Sequence, residues 1–227
     1  MKDARQLTLD WPHAPSFARE DFLAAPSNAG ALRAIDAWRE WPGRILAIVG
    51  PSGSGKTHLG AIWARESGAQ TVCGDRIDAL DLAALPGEPR LLIDDADGVG
   101  AHEPAFFHAL DAVRGRGGTV LMTASTAPDL WGVATPDLLS RLRLAPLTHL
   151  QAPDVDLIRA VLFKLFADRQ LIVDASLVSY LAPRLERSIA AARAVVAALD
   201  HEALSRGRKI TRAIAAEVLA LDGPDED

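Results

Sequence analysis

Two short runs carry residue types that could do chemistry. Residues 50–57 read Gly50, Pro51, Ser52, Gly53, Ser54, Gly55, Lys56 and Thr57, which fits the phosphate-binding spacing of a glycine, four free positions, then glycine, lysine and a hydroxyl residue. The glycines would let backbone N–H groups approach phosphate oxygens, and a helix starting there would aim its positive end at the same charge. Lys56 would reach the β- and γ-phosphates, and the Thr57 hydroxyl would ligate Mg²⁺. The second run, Leu91-Leu92-Ile93-Asp94-Asp95, is apolar and ends in two acids. Asp94 would hold the Mg²⁺ shell and Asp95 would orient the attacking water. Either run alone could be an ordinary glycine turn or a solvated strand end. Together they describe a site for a nucleoside triphosphate.

Elements must hold these runs in place. The apolar stretch 44–49 feeds directly into the glycine-rich loop, and 56–66 reads as the helix that follows. Strand, loop and helix in that order are the context the phosphate motif requires. Further apolar strands are expected at 70–73, 90–94, 119–123 and 146–150, separated by helical patterns such as 103–114, where Phe106, Leu110 and Val113 form a stripe. Strands alternating with helices imply a parallel sheet. Upstream, Leu32, Ile35 and Trp38 recur every three residues and predict a helix over 29–40, closed by Pro42-Gly43. Beyond Pro153 helical periodicity takes over, with four helices marked by Ile158/Leu162/Leu165, Leu177/Leu181, Ile189/Val196/Leu199/Ala203 and Ile214/Val218/Leu221. The expected organisation is an N-terminal arm over 1–15, an α/β nucleotide-binding subdomain over 16–152 and a helical lid over 153–227.

Composition narrows the function classes. With 227 residues, 49% hydrophobic and 24% charged, the chain can bury a full core and is neither disordered nor fibrous. A formal net charge of −6 opposes broad binding to nucleic acid, which needs clustered Lys and Arg. The lone Cys73 reads as a small hydrophobe in a strand and suits a reducing compartment. No signal-type segment opens the chain and no apolar run is long enough to cross a bilayer, so a cytoplasmic protein with no membrane partner is expected.

The motifs extend into a resemblance. Asp21-Phe22-Leu23 and Pro26-Ser27-Asn28 in the arm, the loop continued as Gly-Lys-Thr-His-Leu through His58, the Ile-Asp-Asp ending at Asp95 and Phe106-Phe107-His108 together resemble the AAA+ domain of the bacterial replication initiator DnaA, over most of residues 16–222. The resemblance implies a P-loop AAA+ fold, a parallel sheet flanked by helices and followed by a small helical lid. It also implies nucleotide contacts from Asn28 and His58 beside the loop. Met122-Thr123-Ala124-Ser125 sits where such proteins carry sensor 1, with Ser125 in place of the usual Asp. The segment 137–142, Asp-Leu-Leu-Ser-Arg-Leu, is similar to the one bearing the arginine finger, which makes Arg141 the residue that would act on a neighbouring subunit's nucleotide. Sensor 2 aligns with Ala190, and Arg187 and Arg193, one turn to either side on nearly the same helix face, are its candidate substitutes.

DnaA continues past its lid into a DNA-binding domain, whereas this sequence ends at Asp227. A DnaA of this shape resembles the Hda-type regulators, which act on DnaA. That likeness implies a peptide for the DNA polymerase III β sliding clamp near the N-terminus, and Gln6-Leu7-Thr8-Leu9-Asp10-Trp11 fits it, with Gln6 as a hydrogen-bonding end and Leu7 or Leu9 and Trp11 as apolar anchors. The implied function is an activator of hydrolysis of DnaA-bound ATP, itself holding ADP or ATP with Mg²⁺, with no sequence-specific DNA contact of its own and with a homo-oligomer allowed by family analogy. The alternative is a helicase-loader ATPase of the DnaC and IstB type. The acidic charge and the clamp-type peptide count against it.

Overall fold

A computed structural model describes residues 17–207 and 209–221 of the chain. It divides into two compact units, one formed by Phe17–Ala152 and the other by the helical residues from Pro153 onward. Among the described residues no helix is long and apolar enough to cross a membrane. The peptide Gln6 to Trp11 lies outside the described residues.

The first unit is built on five parallel strands: β1 (Ile45–Val49), β2 (Gln70–Cys73), β3 (Arg90–Asp94), β4 (Thr119–Ala124) and β5 (Leu147–His149), in the order β2-β3-β4-β1-β5. The three central strands are apolar at nearly every position because both faces of the sheet are covered, the usual condition of a parallel sheet. Odd and even residues then serve different cores. Ile45 and Ala47, Leu91 and Ile93, and Val120, Met122 and Ala124 pack with Phe106, Leu110 and Val113 of α3 (Glu103–Gly115) and Leu138 and Leu142 of α4 (Pro136–Arg143). Leu46, Ile48, Leu92 and Leu121 pack on the other side with Ala31 and Ile35 of α1 (Ala29–Asp36) and with Leu59, Ile62 and Trp63 of α2 (Lys56–Ser67). Trp63 is fully buried, stacked on Trp41 at 5.5 Å and 24° and edge-on to Trp38 at 6.3 Å.

The strands expected at 70–73 and 90–94 occur as Gln70–Cys73 and Arg90–Asp94, and the long helices differ from expectation by a residue or so at their ends. The helix expected over 29–40 is shorter. It ends at Asp36, and Trp38–Glu40 forms a separate 3₁₀ turn. A spacing of three residues is shared by α- and 3₁₀-helices, so the apolar period could not distinguish a continuous helix from a break. Cys73, expected to be buried, is half-exposed, because β2 is an edge strand.

The second unit packs four helices: α5 (Val155–Asp168), α6 (Ala175–Leu181), α7 (Ile189–Arg206) and α8 (Arg212–Leu221). Ile158, Leu162, Phe166, Leu177, Leu181, Val196, Leu199, Ile214 and Val218 share one core. Side-chain oxygens cap all four helices: Asp154 accepts from Leu157 N–H, Asp174 from Ser176 N–H, Ser188 from Ala190 and Ala191 N–H, and Thr211 from Ile214 N–H. Because Ser188 is the cap, Arg187 precedes α7 and does not share a helix face with Arg193, contrary to the sequence expectation. Arg193 is half-buried and faces Arg169, and burial first, then that like charge, depresses its pKa. Replacing Ser188 by Ala should remove about 1 kcal/mol, read as a fall in thermal midpoint of about 2–4 °C with faster amide exchange at Ala190 and Ala191.

Candidate functional site

The phosphate loop lies at the C-terminal end of β1, where the sheet order reverses so that β4 and β5 flank the first strand. In open α/β sheets such a crevice beyond the strand ends is where ligands sit. The loop's shape depends on its glycines. A Cβ at Gly50 would come within 2.2 Å of the Leu150 carbonyl oxygen, which approaches closely because Leu150 N–H donates to Val49 O. Gly53 and Gly55 have φ of 69° and 106°, in the region where side chains are strained. α2 begins at Lys56, directly after that turn, so its first N–H groups point into the loop.

Each residue of the loop then has a definite position. The buried Lys56 ammonium donates to Gly50 O at 2.9 Å and Pro51 O at 3.1 Å, leaving one of its three N–H bonds for a phosphate oxygen. Thr57, Pro51 and Ser52 are exposed at the mouth, whereas Ser54 is buried and its hydroxyl has no partner among the described residues. An orphaned hydroxyl, a cradle that a single Cβ would fill and a buried ammonium at a helix N-terminus fit the phosphates of a nucleotide.

The two acids come to the same end of the sheet from β3. β4 separates β3 from β1, with Ile93 beside Met122, so Asp94 falls next to Thr123. The Thr123 hydroxyl, fully buried, donates to Asp94 Oδ1 at 2.5 Å and accepts from Asp95 N–H at 3.0 Å. One hydroxyl thereby ties the Asp94 carboxylate to the backbone of Asp95. Sequence reasoning placed the sensor at Ser125, two residues on. Ser125 is exposed beyond the end of β4, and its backbone N–H donates to Asp97 Oδ2 at 2.8 Å. Thr123 was missed because its role comes from strand neighbours, and the only sequence signal was a polar residue inside an otherwise apolar strand.

Asp95 itself has φ 49°, a left-handed position that Asp and Asn tolerate better than most residues. Desolvation first and the Asp94 charge second hold its pKa above the ordinary carboxyl value, while Lys56 pulls it down and Asp97 and Asp75 push it up. The site therefore gathers carboxylates around one ammonium, an arrangement that a divalent cation would relieve.

Asn28 and His58, expected at the nucleotide, are engaged with residues 17–25 in this structure. Asn28 accepts from Ala25 N–H and donates to Leu23 O, both at 2.8 Å. His58 is buried, with Nε2 2.9 Å from Ala18 O and its ring edge-on to Phe17 and Phe22. A carbonyl only accepts, so that nitrogen carries the proton. Through these contacts the segment from Phe17 to Ala25 is tied to His58 of α2 and to Asn28, and Phe22 Cε2 stands 3.6 Å from where a Cβ on Gly55 would be. Both residues thus shape the wall beside the phosphate loop.

Arg141 is elsewhere. It lies in the last turn of α4, hydrogen-bonded to Asp111 with its guanidinium carbon 4.4 Å from the Phe107 ring centre. It lines a small cavity with Pro42, Gly43 and Ile45, at the N-terminal end of β1 and thus at the opposite end of that strand from the phosphate loop.

Comparison with known proteins agrees with this geometry. No protein-family model matches the chain. Its sequence is 26% identical over 200 residues to the chromosomal replication initiator protein DnaA of Cutibacterium acnes, covering 77% of this chain and 40% of that protein. With DnaA of Campylobacter jejuni the identity is 24%, over 90% of this chain and 52% of the relative. The chain is a distant homologue of DnaA. It spans about half the length of these relatives. Among solved structures, domain III of Thermotoga maritima DnaA superposes with a TM-score of 0.76 at 20% identity, covering 92% of this chain and 98% of that one. The AMPPCP-bound DnaA of Aquifex aeolicus gives 0.67 at 16%, over 84% and 67%. The T. maritima RuvB branch migration motor gives 0.69 at 17%, over 91% and 72%. The fold of this DnaA-like chain is therefore that of a P-loop AAA+ domain followed by its helical lid.

Two substitutions test the acidic pair. Thr123→Val keeps the shape but strands Asp94 and the Asp95 N–H, and should cost about 1–3 kcal/mol in unfolding experiments, with Thr123→Ser largely restoring stability. For Asp95, a raised folded-state pKa means that the ionised form is disfavoured by folding, so its cost is present at neutral pH and fades as pH falls through that pKa toward the ordinary value. Asp95→Asn should raise the thermal midpoint at pH 7 by roughly a degree, and the gain should vanish near pH 4.

Proposed function

We propose that this chain is a nucleotide-dependent regulator of replication initiation, one that binds the DNA polymerase III β sliding clamp and stimulates hydrolysis of ATP held by DnaA. The observation that carries this reading is the position of Arg141. It stands a full strand length from the chain's own phosphate loop, so it has no nucleotide to act on in its own molecule. An arginine that neutralises charge on a transferring phosphoryl group can instead be supplied in trans, and is worth ~10³ to 10⁵ in rate. The likeness to DnaA supplies a partner of matching architecture, since AAA+ domains of one type pack side by side.

In this reading ADP or ATP is held by the backbone of residues 50–57 with Lys56 on the β-phosphate, and Mg²⁺ is held by Thr57 and Asp94. The bound metal and phosphates supply charge neutralisation and a rigid loop. Thr123 keeps Asp94 and Asp95 aimed at the same spot, and the Phe22 segment closes the side wall. The chain's own hydrolysis is weak, and nucleotide binding sets the pose in which α4 presents Arg141. That residue leaves Asp111 and Phe107 as it engages the partner's phosphates. Gln6, Leu7, Leu9 and Trp11 hold the clamp through apolar anchors on a short peptide.

A reconstituted assay tests this, with ATP-loaded DnaA, clamp on DNA and the purified chain. Arg141→Ala should lower the stimulated rate by about 10³-fold and leave clamp binding intact. A Gln6→Ala/Leu9→Ala double variant should lose clamp binding and, with it, stimulation. Stimulation that survives both changes would overturn the proposal, and rapid ATP turnover by the chain alone on single-stranded DNA would favour a helicase loader.

A further inference from the structure

The end of the sheet opposite the phosphate loop carries a second pocket. It lies where β1, β3 and β4 begin, has a volume of about 180 Å³, and is lined by Trp38, Arg39, Arg44, Glu88, Arg90 and the turn that enters β4 at Thr119. The length of β1, five residues at about 3.3 Å each, separates it from the nucleotide loop. A chain with a net charge of −6 here concentrates three guanidiniums against one carboxylate. Among the described residues none of the three arginines forms an ion pair.

The arginines are held in place by contacts that leave their forks available. Arg90, the first residue of β3, donates one N–H to Ser67 O at 2.7 Å. Arg44 donates to Gly117 O and has φ 57°, a left-handed backbone that is strained for a non-glycine residue. Strain of this kind persists where surrounding structure imposes it, and it recurs at ligand sites. Arg39 and Arg90 lie over the Trp38 ring at 4.3 and 5.2 Å. Each guanidinium has five N–H donors, and among the described residues one from Arg90 and one from Arg44 are engaged.

Size and charge define the ligand. Pockets for whole small molecules run to ~300–1,000 Å³, so a cavity of about 180 Å³ suits one group presented by a larger ligand. Trp38 is only 8% exposed and has no free face for stacking a base. Three guanidiniums with Glu88 leave two positive charges, which match a terminal phosphate at about −1.5 to −2 better than a carboxylate or a diester. Planar guanidinium forks match its oxygens bidentately.

We propose that this pocket binds a terminal phosphate group, carried either by a small phosphomonoester or by the 5′ end of a DNA strand. The test is binding of ribose 5-phosphate, and of one oligonucleotide with a 5′-phosphate or a 5′-hydroxyl, to the full chain with and without saturating Mg²⁺ and ADP. Saturable binding is expected that ADP does not displace, that falls at least tenfold in Arg39→Gln/Arg44→Gln, and that tightens severalfold in Glu88→Gln. Glu88→Gln removes only an exposed rim charge, so it remains a test should the double variant fail to fold. The 5′-phosphorylated strand binding tighter than both ribose 5-phosphate and its 5′-hydroxyl counterpart identifies a strand end, whereas equal affinity for both phosphate carriers identifies the small phosphomonoester. Absence of saturable binding, displacement by ADP, or an affinity unchanged by either variant would overturn the proposal.

Discussion

The nucleotide site depends on β4 lying between the strands that carry its two motifs. The phosphate loop leaves β1 and the acids leave β3, yet neither strand touches the other. The Thr123 hydroxyl, buried at the end of β4, joins Asp94 to the backbone of Asp95. Two carboxylates at the end of one strand repel each other, and a strand terminus alone would let them turn away into solvent. The fully buried hydroxyl gives one fixed partner to the half-buried Asp94 carboxylate and one to the Asp95 backbone N–H.

That arrangement also explains how much of the molecule is legible in its sequence. The phosphate loop and the runs at 70–73 and 90–94 are local patterns, and sheet burial on both faces makes the strands read as uninterrupted apolar segments. Thr123 carries no such pattern. It matters because parallel register sets it beside Asp94, and register is a property of pairs of segments far apart in the chain. Arg187 misled for a related reason: Ser188 supplies the N-cap and α7 starts only at Ile189, which leaves Arg187 before the helix. Asn28 and His58 are expected at the nucleotide from the resemblance alone, and the structure shows them hydrogen-bonded to Leu23, Ala25 and Ala18.

Charge is distributed along the sheet with a polarity that overall composition hides. Asp75, Asp94, Asp95 and Asp97 gather at the C-terminal ends of the strands around Lys56. Arg39, Arg44 and Arg90 gather at the N-terminal ends. In a parallel sheet every strand points the same way, so residues just before and just after the strands segregate to two poles. The net charge of −6 thus hides an acidic cluster at one end of the sheet and a basic cluster at the other.

The same polarity bears on the choice between an enzyme acting alone and one half of a composite site. A helix such as α4, which follows a strand in a parallel sheet, runs back from the C-terminal pole to the N-terminal pole, and its last turn therefore ends far from the loop that binds phosphate. An arginine on that turn can meet a phosphoryl group only if another molecule brings one. Asp111 and Phe107 meanwhile give its guanidinium a carboxylate and an aromatic face. The separation of Arg141 from Lys56 is thus a consequence of the direction of the fold, and under the proposed function it is a second nucleotide-bearing domain that would bring a phosphate to Arg141.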